Sequence, residues 1–315
     1  MNRSKLLTDG VLLIAIYIVL LLIAMFVPLI ELVATFLLPV PIIIFASRYD
    51  WKSSLLMLAV ALVLSSLFAT IFSLPVTVLM GLGGVMIGSA MYRGLSAYET
   101  WARGAVGFGL GLVFVLLISQ LVFDVNMLEE IDVMIDQSMQ MSQDMMEQFG
   151  LADQAAEQMA LIEEQMEMLK NLIPVGIAVI GILLSFIGQW VSYKVINRLE
   201  NKNFHFPPFR ELKLPVSLVW IYFFALIFTF FELDQNGMLY LAVNNVLMLA
   251  GMLMVIQGFS LIFFYAYQKN KSKALPIGSV VLTILMPFLF LYLVRILGII
   301  DIGFKLRDRI SQSGK

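Results

Sequence analysis

Hydrophobic residues run along this chain in long blocks without alternation, separated by short polar stretches. Nine such blocks occur, at residues 10–28, 31–46, 53–71, 75–92, 104–123, 172–196, 216–231, 238–267 and 275–298. Apolar helices of about 20 residues cross a hydrocarbon layer roughly 30 Å thick. Lipid offers the backbone no hydrogen-bond partners, so unbroken apolar runs of this length satisfy their N–H and C=O groups as helices, whereas barrel strands alternate in polarity. The pattern predicts an all-α, polytopic integral membrane bundle of eight or nine spans. Proline sharpens its boundaries. Pro28 closes the first block, and Pro75, Pro174 and Pro276 open later ones, where a missing N–H costs no helical bond. Pro39, Pro41 and Pro287 fall inside blocks and predict kinks or breaks.

One stretch is of another kind. Residues 124–171 hold 12 acidic residues, one lysine and nine methionines. Apolar or small residues recur there every three or four positions, first at Met127, Ile131, Met134, Ser138, Met141 and Met145, then at Ala152, Ala155, Met159, Ile162, Met166 and Leu169. A period near 3.5 on both sides of Gly150 predicts an antiparallel helical hairpin with a methionine-rich seam and acidic outer faces. Thioether sulfur suits Cu(I), yet most of these methionines fall on the predicted seam, where flexible side chains fill a core. No metal or other cofactor is assigned. The chain therefore divides into 1–123 with 172–196, a six-helix bundle; 124–171, the hairpin; and 197–315, a basic loop with about three further spans.

Composition removes whole classes of function. Hydrophobic residues make up 61% of the chain and charged residues 13%, with a mean hydropathy of +0.94. Soluble domains carry about 25% charged residues, so a soluble enzyme, a nucleic-acid binder and a disordered regulator are excluded. Cysteine is absent, and the single histidine, His205, stands in a polar loop. Disulfides, thiolate metal sites and cysteine nucleophiles go with it. Met1 to Lys5 is basic, but the apolar run that follows reaches Ile30 without a small-residue cleavage site, so no cleavable signal is expected.

Lysine and arginine counts set the orientation. With the N-terminus in the cytoplasm, 14 of the 20 basic residues fall in inside loops, including Arg3, Arg48, Arg103, Arg198, Lys213 and Lys271. Only Lys170 falls in an outside loop. The hairpin then lies on the extracytoplasmic side of the membrane, between the fifth and sixth spans. Nine crossings would put the basic tail, with Arg307 and Arg309, outside as well. A re-entrant proline-bearing segment, leaving eight, would not.

Few groups in the spans carry chemistry. The chain lacks a phosphate-cradling P-loop, a G-x-S-x-G or H-E-x-x-H signature, and facing intramembrane aspartates, so no enzyme is expected. Arg295 lies in the last span with Asp301 as a potential partner, although a long arginine near a helix end also snorkels. Glu31 follows the first span at the outer mouth. The amides Gln120, Gln189, Asn244, Asn245 and Gln257 either bond between helices or line a polar cavity. Gly84 with Gly88, Gly107 with Gly111, and Ala61, Ser65 and Ala69 repeat at four-residue intervals, the spacing of close helix-packing faces, any one of which is able to meet another subunit. The loop from Lys194 to Lys213 interleaves Arg198, Lys202 and Arg210 with Phe204, Phe206 and Phe209, a composition that favours anionic lipid heads.

Several of these features occur together in one family. Thr8-Asp9-Gly10-Val11-Leu12-Leu13-Ile14-Ala15-Ile16-Tyr17 leads into the first span, Leu38-Pro39-Val40-Pro41 marks the second, and Arg48-Tyr49-Asp50 forms the next turn. Gly81-Leu82-Gly83-Gly84 runs on to Gly88, and Gly298-Ile299-Ile300-Asp301 precedes Lys305-Leu306-Arg307. Over nearly its whole length this resembles the YybS-like family of uncharacterised bacterial membrane proteins. That family is distantly similar, over six spans, to the S components of energy-coupling-factor (ECF) transporters. The similarity implies capture of a small molecule from outside, with a membrane T component and two ATPases as partners, and supplies no substrate residues. The alanine-x-x-x-alanine face of S components is absent around Gly10, Ile14 and Ala15.

Two functions follow as expectations. One is capture of a small molecule by Glu31, Gln120, Asn244 and Asn245 with the hairpin as lid. The alternative is a membrane scaffold or regulator that holds a protein partner. In either case a cysteine introduced at Ser142 should react with an impermeant thiol reagent on intact cells, and one at Lys202 only after lysis. The reverse labelling pattern inverts the orientation.

Overall fold

Residues 3–149, 161–162, 165–166, 168–234, 237–304 and 306–312 are described in a computed structural model, and among them there are helices and turns but no strand. Two compact units divide the chain, Met1–Phe206 and Pro207–Lys315. Among the described residues eight helical stretches are long and apolar enough to cross a membrane, six in the first unit and two in the second.

The first unit begins with α1 (Arg3–Phe26), then α2 (Glu31–Leu37) and α3 (Pro39–Arg48). Leu38 between α2 and α3 keeps a helical conformation, so Pro39 and its missing N–H interrupt the ladder without turning the chain aside. Asp50 accepts the Ser53 N–H and so starts α4 (Trp51–Phe68). A 3₁₀ turn leads into α5 (Leu74–Tyr92), and a Ser96–Glu99 capping box opens α6 (Ala97–Phe123). Beyond α7 (Met127–Gln148), the first arm of the expected hairpin, the unit closes with α8 (Ile173–Glu200). Asp124 and Asn201 end α6 and α8 in left-handed conformations, which short polar side chains tolerate.

Helix α5 is the hub: most of its residues are buried, whereas most of those of α6 are not. Its glycines explain why. A Cβ at Gly88 would lie 2.6 Å from the Ile43 carbonyl, and one at Gly84 would lie 3.0 Å from the Ile42 Cβ, so α3 sits directly on the α5 backbone. On α6, a Cβ at Gly107 would meet the Leu82 carbonyl at 2.9 Å and one at Gly111 the Leu79 Cα at 2.7 Å. All four predicted glycine positions are thus seams inside the unit. The small-residue face of α4 is used likewise: Ala61, Ser65 and Ala69 are buried, and Ser73 donates to the Ser65 carbonyl. Tyr17, Phe45 and Phe108 fill the remaining space.

In the second unit the seventh apolar block contains only the 12-residue α9 (Ser217–Phe228), and α10 (Met238–Gln268) follows. The ninth block is broken. α11 (Ala274–Leu285) stops at Met286, which leaves helical geometry before Pro287, and α12 (Pro287–Phe304) starts afresh. Twelve residues of helix span only about 18 Å. Gly298 lies against the Met254 carbonyl, and Gln257 bonds Asp301, pairs with the same sequence offset. Helices α10 and α12 therefore run in the same direction, and the short α11 carries the chain back between them. Arg307, in the terminal α13 (Leu306–Gln312), donates to the Arg210 carbonyl at 2.6 Å. The tail thus returns to the end of the unit where residues 207–214 lie, because the ninth block breaks at Met286 and its second half turns back beside α10. Lys305 and Lys315 lie outside the described residues.

Replacing Gly88 by valine should lower unfolding stability in detergent by about 1–3 kcal/mol, the cost of overpacking a tight contact. Gly109, which has nothing within 4 Å of its would-be Cβ, should accept alanine without loss in the same assay.

Candidate functional site

Asn126 begins the hairpin helix by accepting the Leu128 N–H and donating to Glu129. From there α7 runs 22 residues without burying one of them. Most helical stability in proteins comes from tertiary packing of an amphipathic face, so the exposed stripe is the notable property. Ile131, Met134, Ile135, Ser138 and Met139 line one side of an apolar cleft of about 440 Å³, with Met166 on the segment opposite.

The cleft follows a helical stripe rather than a strict 3.5-residue line. A straight α-helix drifts about 20° per heptad from that line, so Ile135 and Met139 join the cleft while Met141 and Met145, both assigned to the seam by spacing, face outward. Met141 is 69% exposed. Carboxylates frame the stripe: Glu129, Glu130, Asp136, Asp144 and Glu147 are exposed, and Asp132 pairs with Lys170 at 2.9 Å. An apolar, polarisable floor within an acidic rim accepts an amphipathic cation. Gly150, Ala152, Ala155 and Met159 of the expected second arm lie outside the described residues.

The residues expected to bind a solute are distributed differently. Glu31 is the first residue of α2, and Gln120 lies in the last turn of α6; both are exposed. In the second unit Asn245 is buried and donates to the Leu241 carbonyl of its own helix. Asn244 is exposed and lines a cleft of about 370 Å³ with Thr229, Glu232 and Tyr240. The other amides serve packing. Gln189 donates to the Ala97 carbonyl and contacts the Tyr193 hydroxyl, tying α8 to α6. Among the described residues no three His, Asp or Glu side chains are grouped to hold a metal ion.

Sequence spacing missed two charged networks. In the first unit Arg48 donates to Asp9 at 2.9 Å and to Glu200 at 2.6 Å, and the Tyr49 hydroxyl also bonds Asp9. One guanidinium thereby joins the ends of α1, α3 and α8. Burial, then the Asp9 carboxylate, pushes the Tyr49 phenol up, while the Ser53 hydroxyl and amide hold Asp50 below the usual carboxylate range. In the second unit Asp301 takes Arg307 at 2.8 Å rather than Arg295, with side chains only 3% and 4% exposed. Gln257 donates to the same carboxylate oxygen and accepts the Leu214 N–H. Arg307 further reaches the Ser260 hydroxyl, whose own proton goes to the Phe209 carbonyl. Arg295 instead lays its guanidinium over Gly251, and its buried Nε has no partner. Gln257 and Asp301 stand out only as polar residues in apolar blocks; their partnership joins positions 44 apart.

Residues 15–302 match the model of a family described as "Predicted membrane protein (DUF2232)". The chain is also 30% identical over 311 residues to "Uncharacterized protein YybS" of Bacillus subtilis (strain 168), covering 99% of this chain and 100% of that one. No solved structure matches it. Removing one member of a buried ion pair costs about 3–5 kcal/mol, because the other charge stays in low dielectric. Asp301→Asn should therefore destabilise the protein by that order in detergent unfolding, and adding Arg307→Met should recover part of the loss.

Proposed function

The chain belongs to the DUF2232 family of predicted membrane proteins, and for this member we propose a non-catalytic role as a membrane-anchored docking platform for a protein partner. The observation that carries this reading is α7, a 22-residue amphipathic helix with no buried residue and an apolar cleft along it. Methionine-lined surfaces adapt to varied apolar partners. The acidic rim selects a cationic one and disfavours a second copy of the same hairpin. The partner is thus a basic amphipathic segment. The lysine and arginine distribution supports a cytoplasmic N-terminus in a bacterial plasma membrane, with the hairpin presented outside. Tight glycine seams favour this reading too, since they spend the small-residue faces on internal packing.

Capture of a small solute, in the manner of an S component working with a T component and ATPases, is a second reading. It is favoured by the polar cleft at Asn244. Glu31 and Gln120, in the other unit, do not add to it.

The platform reading is tested with the full chain in phosphatidylcholine nanodiscs and a fluorescent leucine–lysine amphipathic peptide. Binding should saturate, and Met134→Glu or Ile135→Glu should weaken it by roughly tenfold, as loss of an interface anchor does. Met141→Glu, outside the cleft lining, should leave it within about twofold of the unmodified chain. Equal binding of a leucine–glutamate peptide, or indifference to both cleft substitutions, would sink the reading.

A further inference from the structure

Arg210 places its guanidinium 3.8 Å from the centre of the Tyr267 ring, at one end of α10. Beside it the chain turns through Asn270, in a left-handed conformation (φ 48°), and delivers Lys271 and Lys273 just before α11. These side chains line a cleft of about 450 Å³ whose other walls include Phe263 and Ile277. Among the described residues no carboxylate lines that cleft, and the carboxylate near Lys213, that of Asp308, lies outside it at 4.0 Å from the ammonium. Three cations around one depression repel one another until an anion enters.

From this arrangement we propose that the cleft binds the phosphate of an anionic phospholipid, with Arg210, Lys271 and Lys273 around the headgroup. The stacking on Tyr267 holds the Arg210 fork in place, and planar guanidinium suits phosphate oxygens. The acyl chain follows α11, where Ile277, Val281 and Ile284 recur at four- and three-residue spacing and are exposed, Ile284 by 74%. That continuous apolar track favours a lipid over free phosphate, whose surroundings would be polar throughout. Basic pockets between membrane helices at the interface take anionic headgroups in this way. The site is also coupled to the buried ion pair, because the Arg210 carbonyl accepts from Arg307.

The full chain in a mild non-ionic detergent is titrated with short-chain phosphatidylglycerol, short-chain phosphatidylcholine and inorganic phosphate, and the unfolding temperature is read. Phosphatidylglycerol should raise it in a saturable manner, and the other two should not. Lys271→Gln and Lys273→Gln should each raise the half-saturating concentration roughly fivefold, whereas Lys5→Gln, on the first unit, should not change it. Both lysines are exposed, so the variants are expected to fold with the unliganded unfolding temperature unchanged. Equal stabilisation by phosphatidylcholine overturns the proposal. Equal stabilisation by inorganic phosphate, or a response unaffected by both lysine variants, also overturns it.

Discussion

Helices surrounded by lipid gain nothing from hiding leucine from water, because the tails around them are as apolar as the side chains; close van der Waals packing has to hold them instead. Here that packing is concentrated where glycine lets one backbone lie on another. Gly84 and Gly88 seat α3 on α5, Gly107 and Gly111 seat α6 on α5, and Gly258 and Gly298 bring α10 and α12 into backbone contact. Each unit is organised around such a seam. The seams also explain the enclosure of α5 and the parallel course of α10 and α12, which forces the chain to double back through α11.

Polar groups complete what the glycines begin. Arg48 gathers Asp9 and Glu200, and Arg307 gathers Asp301, Ser260 and the Arg210 carbonyl. Both sets lie where helices end, so loose ends become fixed relative to one another. Buried ion pairs add little net stability over apolar packing of the same shape. Their effect lies in register: the position of α12 along α10 that sets Asp301 against Gln257 also lets Arg307 reach Ser260. Arg295 differs, since its guanidinium rests on Gly251 and its buried Nε lacks a partner.

Against this tight packing α7 is an exception. The same residue types that fill cores elsewhere, isoleucine and methionine, stand exposed along it within an acidic frame. Surface of that kind is costly to leave in water unless it is used. The second unit repeats the theme with opposite charge, aromatic and aliphatic side chains under Arg210, Lys271 and Lys273. The protein thus presents two amphipathic faces, one anionic and one cationic, on otherwise lipid-adapted helices.

Apolar block length alone determined that the chain is a multi-pass helical membrane protein, since lipid leaves a backbone of that composition no other way to satisfy its hydrogen bonds. The small-residue faces and the break at Pro287 were equally legible, being local properties of neighbouring residues, whereas the methionine stripe was legible only in part, since Met141 and Met145 lie outside the cleft. Tertiary structure alone decided which charges meet: Arg48 reaches Glu200 only because distant helix ends are brought together, and Asp301 takes Arg307 rather than Arg295, although both stand six positions from it. It also decided that the last block breaks and turns back, because Met286 leaves helical geometry and α12 then packs parallel to α10. Hydropathy averages over a window and carries no direction, so a broken helix that turns back reads the same as one that goes straight through.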